Sequence, residues 1–233
     1  LKTIEIKHVR TGSIIFSGFF RNIREAAEQA ITENVSLSFA DLRHANLAHA
    51  ELDGGDFDQA SLEGANLTAA NLSECSFHTT RMANAQLHSA VLCQSQLEAV
   101  DFRGALFGAT DIVDAHIGHC QFDTLSALDM GFTATHTMVL NSFSAFNNTL
   151  CGLSRPPLVI KGLGLPLACL DSHILVGFEA LPFRTVLDIL TYAKRPPEYI
   201  PSRTYAFLCR HKNLLNSLVK LHDPSVTHEQ NAA

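Results

Sequence analysis

An apolar residue occupies every fifth position from Leu37 to Phe122 without a break. The series runs Leu37, Leu42, Leu47, Leu52, Phe57, Leu62, Leu67, Leu72, Phe77, Met82, Leu87, Leu92, Leu97, Phe102, Phe107, Ile112, Ile117, Phe122. Two positions before each lies a small or modest residue, most often alanine, as in Ala40, Ala45, Ala50, Gly55, Ala60 and Ala65. A period of five matches neither the 3.6 of a helix nor the 2 of a strand. It marks a structural repeat, and one five-residue unit cannot bury its own apolar residue, so neighbouring units must stack.

The units read Ala-Asp-Leu-Arg-His, Ala-Asn-Leu-Ala-His and Ala-Glu-Leu-Asp-Gly from Ala40, and Ala-Asn-Leu-Thr-Ala from Ala65. This pattern resembles the pentapeptide-repeat family, whose motif is Ala-(Asp/Asn)-Leu-x-x, and it extends over eighteen consecutive pentads. The resemblance implies a mainly β fold: a right-handed quadrilateral β-helix with one pentad per side and four per coil. The residues agree with that geometry. The large central residue fills a narrow tube, the residue two before it points inward and must be small, and the other three positions are mostly polar.

The segments flanking the repeat read differently. Residues 1–34 contain an alternating stretch from Thr3, a Thr11-Gly12 turn and a second apolar run from Ser13, which predicts a β-hairpin. Asn22 with Glu25 three residues later predicts a helix start. Hairpin and helix are expected to cap the open end of the solenoid, whose first coil otherwise exposes core and strand edges. The repeat body is expected over 35–150, regular to 123 and degenerate after. Arg155-Pro156-Pro157 marks a boundary, and 155–222 is expected to form a small α/β module, a β-hairpin plus helices, the last running from Ser202 to about Leu221. Residues 223–233 are expected to be a disordered tail. This arrangement of repeat body and small hairpin-and-helix end resembles pentapeptide-repeat proteins of bacteriophages.

Several functions are disfavoured at this level. The net charge of −6 argues against direct nucleic-acid binding. Neither a signal-like apolar run at the start nor a membrane-length stretch elsewhere is present, and six cysteines form no Cys-x-x-Cys, so a reduced, cytoplasmic location in a bacterial host is expected. His44 and His49 are one pentad apart and fall on different walls; His78, His116 and His119 share a wall, but His116 and His119 alone do not complete a metal site. Asp171-Ser172-His173 reads as a turn, not a triad. The reading is a non-enzymatic binding protein without metal or cofactor.

Charge is segregated along the chain. Residues 35–129 hold thirteen acids and three arginines; both flanks are slightly basic. With twenty residues per coil, Glu51, Asp53, Glu74, Asp111 and Asp114 fall on one wall, and Asp56, Asp58 and Glu98 on the next. Four and a half coils at the inter-strand spacing make a rod of about 22 Å. Duplex DNA of that length carries about 13 phosphate charges. The gyrase-protecting members of the family are proposed to mimic DNA, so the resemblance implies an inhibitor or protector whose partner is a DNA-binding enzyme such as gyrase. Two readings stay open beside it. The acids serve solubility alone, or the chain is a structural adaptor, phage-encoded, binding a protein through its uncharged wall or its C-terminal module. The apolar set Tyr205, Leu208, Leu215 and Leu218 on the last helix is read either as a cap over its own chain or as a homodimer contact.

Overall fold

The structure is a computed structural model, and residues 1–222 are described; the tail expected to be disordered lies outside the described residues. Two compact units divide between Ser142 and Phe143, so residues 143–150, expected with the repeat, fall in the second unit.

The first unit opens with strands β1 (Lys2–Lys7) and β2 (Ile14–Phe20), an antiparallel hairpin, followed by helix α1 (Ile23–Thr32). The helix starts where it does because Asn22 Oδ1 accepts the Glu25 amide at 2.9 Å, while Glu25 reaches back to the Arg21 amide at 2.9 Å. Ala26, Ala27 and Ala30 are fully buried. The hairpin joins the first coil through Asp41 N to Lys7 O at 2.7 Å and Val9 N to Phe39 O at 2.7 Å. The helix reaches the next sides of the coil through Arg24 to Ala48 O, 3.2 Å, and Glu28 to Glu51 N, 3.2 Å. Gly55 makes this approach possible, since a Cβ there would meet the Phe57 ring at 2.5 Å, Ile31 at 2.9 Å and the Leu52 carbonyl at 2.9 Å.

From residue 37 the chain advances by twenty residues per coil. Parallel bridges pair Asp41 with Ser61, Asn46 with Asn66, Glu51 with Asn71 and Asp56 with Ser76, and the same step continues to Asp101 with Gln121. These make four parallel ladders, one for each pentad of a coil, which is the repeat of a β-helix. Each pentad closes with a turn, such as Ala45 N to Leu42 O at 3.1 Å. The third turn residue has positive φ, recurring every five residues from Phe39 to His119, the pattern of a type II turn. Central residues are buried throughout. Phe57 stacks on Phe77 at 5.4 Å and Phe102 on Phe122 at 5.3 Å, so rings repeat along the tube as the coils do.

The small inward position tolerates polar side chains when they bond to the backbone. Thr80, Ser95 and Thr110 are buried, and each hydroxyl donates to a carbonyl 23 residues earlier, at 2.7 to 2.8 Å. Cys75 and Cys120 make the same contact at 3.1 and 3.2 Å; burial pushes both thiols up to about 12, so they remain neutral packing groups.

Three short stretches of the ladders are regular enough to form strands: β3 (Gln96–Glu98), β4 (His116–Gly118) and β5 (Gln121–Phe122). Regularity ends after Phe122. Helix α2 (Leu125–Leu128) takes the place of a pentad, and a 3-10 turn follows at Phe132–Ala134. Strand β6 (Thr137–Val139) then pairs with β4 at a step of 21 residues, Ile117 opposite Met138. After this extra residue, buried Asn141 stands in the inward column after Val100 and Cys120. Its side chain accepts the Cys120 amide at 2.8 Å and donates to Ile117 O at 3.1 Å.

Strand β7 (Asn141–Ser144) spans the division, and β8 (Leu150–Leu153) follows in the second unit. There β9 (Leu158–Ile160), β10 (Leu167–Cys169), β11 (His173–Val176) and β12 (Glu179–Pro182) form an antiparallel sheet in chain order. Helices α3 (Phe183–Tyr192), α4 (Ser202–Arg210) and α5 (Lys212–His222) complete it. The single last helix expected from Ser202 to Leu221 is two helices, broken at His211. The sheet and helices share one core that includes Leu167, Ile174, Val176, Val186, Leu208 and Leu215.

Candidate functional site

The ladders fix which residues share a wall. Each wall is named here by one central residue: Phe57, Leu62, Leu67 or Leu72. On the Leu72 wall Glu51, Asp53, Glu74, Asp111 and Asp114 are all exposed. Asn71 donates to Glu51 at 3.0 Å, the Val113 amide to Asp111 at 3.1 Å, and Asp53, Glu74 and Asp114 carry no salt bridge among the described residues. No lysine or arginine stands in these pentads.

On the Phe57 wall the acids are half-buried and more tightly held. Ser36 and Ser38 hydroxyls donate to Asp56 at 2.6 and 2.8 Å. Burial raises the Asp56 carboxyl, but these hydroxyls and the Asp58 amide outweigh it and hold the group below its ordinary value. Asp58 accepts Ser76 Oγ at 2.6 Å and the His78 amide at 2.8 Å, with His78 Nδ1 at 3.2 Å. Glu98 accepts His119 Nδ1 at 2.6 Å. Sequence reading missed these histidine–carboxylate pairs. Asp58 and His78 stand one coil apart in the same register, a visible signal; Glu98 and His119 are offset by 21 residues, which the register alone does not bring together.

The Leu62 wall pairs three of its four acids with arginines, while Asp123 accepts the Gly104 amide. Arg43 pairs with Asp41 at 2.7 Å, Arg81 with Glu63 at 3.0 Å and Arg103 with Asp101 at 2.6 Å. Hydrogen bonds from Arg43 and Arg103 lower the Asp41 and Asp101 carboxyls. The Leu67 wall carries no formal charge and exposes Leu106. Uncompensated negative charge is therefore concentrated on two adjacent walls.

The remaining candidates separate. Ser172 Oγ lies 2.9 Å from His173 Nδ1, but the Asp171 carboxylate turns away, accepting the Ser154 amide at 2.8 Å and facing Arg155 at 3.7 Å. Burial lowers the His173 ring. Among the described residues no acid orients this histidine, and Asp171, Ser172 and His173 are not arranged as a relay. Among the described residues no group of three or more His, Cys, Asp or Glu side chains is arranged to hold a metal, and no helix is long and apolar enough to cross a membrane. The face read as either a cap over its own chain or a dimer contact is interior. Leu208, Leu215 and Leu218 are buried in the core of the second unit, Tyr205 packs against that core, and its hydroxyl donates to Ala193 O at 3.0 Å. The break at His211 folds α5 so that its apolar side meets α3 and α4.

The sequence model described as Pentapeptide repeats (8 copies) matches residues 33–68, 60–98 and 70–108, inside the stretch where the ladders step by twenty. Residues 33–108 carry pentapeptide repeats. No curated protein matches the chain. Solved structures similar to it are themselves pentapeptide-repeat proteins. Rfr23 from the cyanobacterium Cyanothece is 21% identical over 37% of this chain and 56% of its own, with a TM-score of 0.29. QnrB1, a plasmid-mediated fluoroquinolone resistance protein, is 16% identical over 43% and 52%, with a TM-score of 0.30. HetL, involved in heterocyst differentiation regulation in Nostoc, is 27% identical over 35% and 40%, with a TM-score of 0.21. The chain thus spans about half the length of the first two. The pentapeptide-repeat body contributes the charged walls; the second unit lies outside the family match.

Proposed function

We propose that the repeat body is a right-handed quadrilateral β-helix whose acidic walls dock on the positive DNA-binding surface of a type II topoisomerase or another nucleic-acid enzyme. By occupying that surface it inhibits or protects the enzyme, without catalysis of its own, in the bacterial cytoplasm. The observation that carries this reading is the Leu72 wall. Five exposed carboxylates line one side of a straight ladder with no cation among them. Such a row steers encounter with a basic surface and makes association sensitive to salt.

An adaptor role is the second reading. Its support is the uncharged Leu67 wall with exposed Leu106, and an exposed aromatic pair in the second unit, Phe146 and Phe178, with ring centroids 6.1 Å apart.

The variant Glu51→Gln, Asp53→Asn, Glu74→Gln, Asp111→Asn separates the two. All four residues face water, so the melting temperature should stay within a few degrees of wild type. Association with DNA gyrase should slow on the order of tenfold at low salt, with a flatter salt dependence. Unchanged affinity and salt slope in the folded variant would rule out docking through this wall and favour the adaptor.

A further inference from the structure

The two acidic walls differ in what accompanies the acids. The Leu72 wall has no histidine. The Phe57 wall has four, His78, His116, His119 and His136, with three carboxylates and no lysine or arginine. In the outward column Asp58, His78 and Glu98 follow one another coil by coil; Gly118 comes next, and His119 stands one residue beyond it.

The placement is specific. His78 Nδ1 lies 3.2 Å from Asp58 and 2.9 Å from Ser76 Oγ, and Asp56 is close enough to feel its charge. His119 Nδ1 lies 2.6 Å from Glu98. Gly118 is buried beneath the Glu98 carboxylate, where any Cβ would strike it, so the missing side chain lets the acid reach across to His119. At the irregular end the His116 and His136 rings sit 4.4 Å apart, and His116 Nδ1 is 3.0 Å from Thr137 Oγ1. His78 and His119 are each about half exposed and in reach of solvent protons.

We infer that the Phe57 wall is the proton-controlled half of the docking surface, offering carboxylates to a basic partner at neutral pH and withdrawing them as its histidines charge. This rests on the docking reading above and adds its regulation. Imidazole gains its charge between pH 8 and 5. A charged His78 and His119 neutralise Asp58 and Glu98 in place. With all four rings charged the wall passes from three negative charges to one positive. The Leu72 wall has no histidine, so no imidazolium charge arises beside its carboxylates. Release is therefore partial and confined to one side of the solenoid. His116 and His136, facing each other, repel when both are charged, which loosens the last coil.

The test uses the full chain and poly-L-lysine as the basic probe, at pH 7.5 and 5.5 and constant ionic strength, with far-UV circular dichroism confirming the fold at both. Wild type should bind on the order of tenfold more weakly at pH 5.5, through loss of steering charge. The variant His78→Gln, His116→Gln, His119→Gln, His136→Gln should lose less than about threefold, its remaining histidines lying elsewhere. Equal weakening in both proteins overturns the switch and leaves the docking reading standing. Failure of folded wild type to bind at pH 7.5 overturns the docking reading and the switch with it. Should the fourfold change cost the fold, His78→Gln with His119→Gln carries the same comparison, since both lie on the exposed side of the ladder. A pH response equal to wild type there again overturns the switch.

Discussion

Leu87→Asp abolishes folding of the repeat body, whereas Leu106→Asp, one coil on and on the same wall, is tolerated. Leu87 is fully buried in the column Leu47, Leu67, Leu87, Phe107. The buried inward positions around it are alanines and a threonine already bonded to Leu87 O, and no lysine or arginine is among the buried residues. A carboxylate in that place is desolvated without a partner, which costs several kcal/mol. The lost leucine packing adds about 2–5 kcal/mol. Together these reach the whole stability of an ordinary domain, about 5–15 kcal/mol. Leu106 occupies the outward ladder position opposite Gln86 and is 46% exposed, so its charged replacement stays in water. Soluble expression and circular dichroism separate the outcomes. A folded Leu87→Asp protein would mean that the central residues do not point inward.

Phe122→Ala weakens the solenoid at the point where regular coils give way. Phe122 stacks on Phe102 at 5.3 Å and meets Phe107 and Phe132 at 6.1 Å each, so one ring joins two regular coils to the irregular end. Truncation leaves a cavity that four aromatic groups previously shared, and the expected loss is about 3–5 kcal/mol. The melting transition of the repeat body should fall by roughly 10 °C, at about 2–4 °C per kcal/mol for a chain of this size. Thermal melts followed by far-UV circular dichroism give the number. A fall under 2 °C would show that the last coils fold independently of the regular ones.

The repeat body was legible because its period is unusual. A spacing of five assigned each central residue to the interior and each acid to a wall, and the ladders at twenty residues keep those assignments from Leu37 to Phe122. Legibility ends where the step becomes 21. One extra residue before Met138 shifts the frame, and the buried Asn141 keeps two backbone groups bonded that a regular coil would pair differently. Sequence periodicity sees the decay but not that repair. In the second unit the apolar pattern on 202–221 was real, but its meaning turned on a break at His211. The flanking Cys209, Arg210, Lys212 and Asn213 include no glycine or proline to mark it. The acids of the Leu72 wall could be placed from register alone; the Glu98–His119 pair could not, since it depends on a side chain crossing a buried glycine.

Competition between the acidic wall and DNA for a basic enzyme surface separates the proposed docking from an adaptor role. It is tested most directly by displacement of a fluorescent duplex from purified DNA gyrase, followed by anisotropy as the protein is added at low and at high salt. Displacement is expected at low salt, suppressed at high salt and greatly reduced in the Glu51→Gln, Asp53→Asn, Glu74→Gln, Asp111→Asn variant. A folded wild-type protein that leaves the duplex in place at low salt, or a variant that displaces it as well as wild type does, would contradict it.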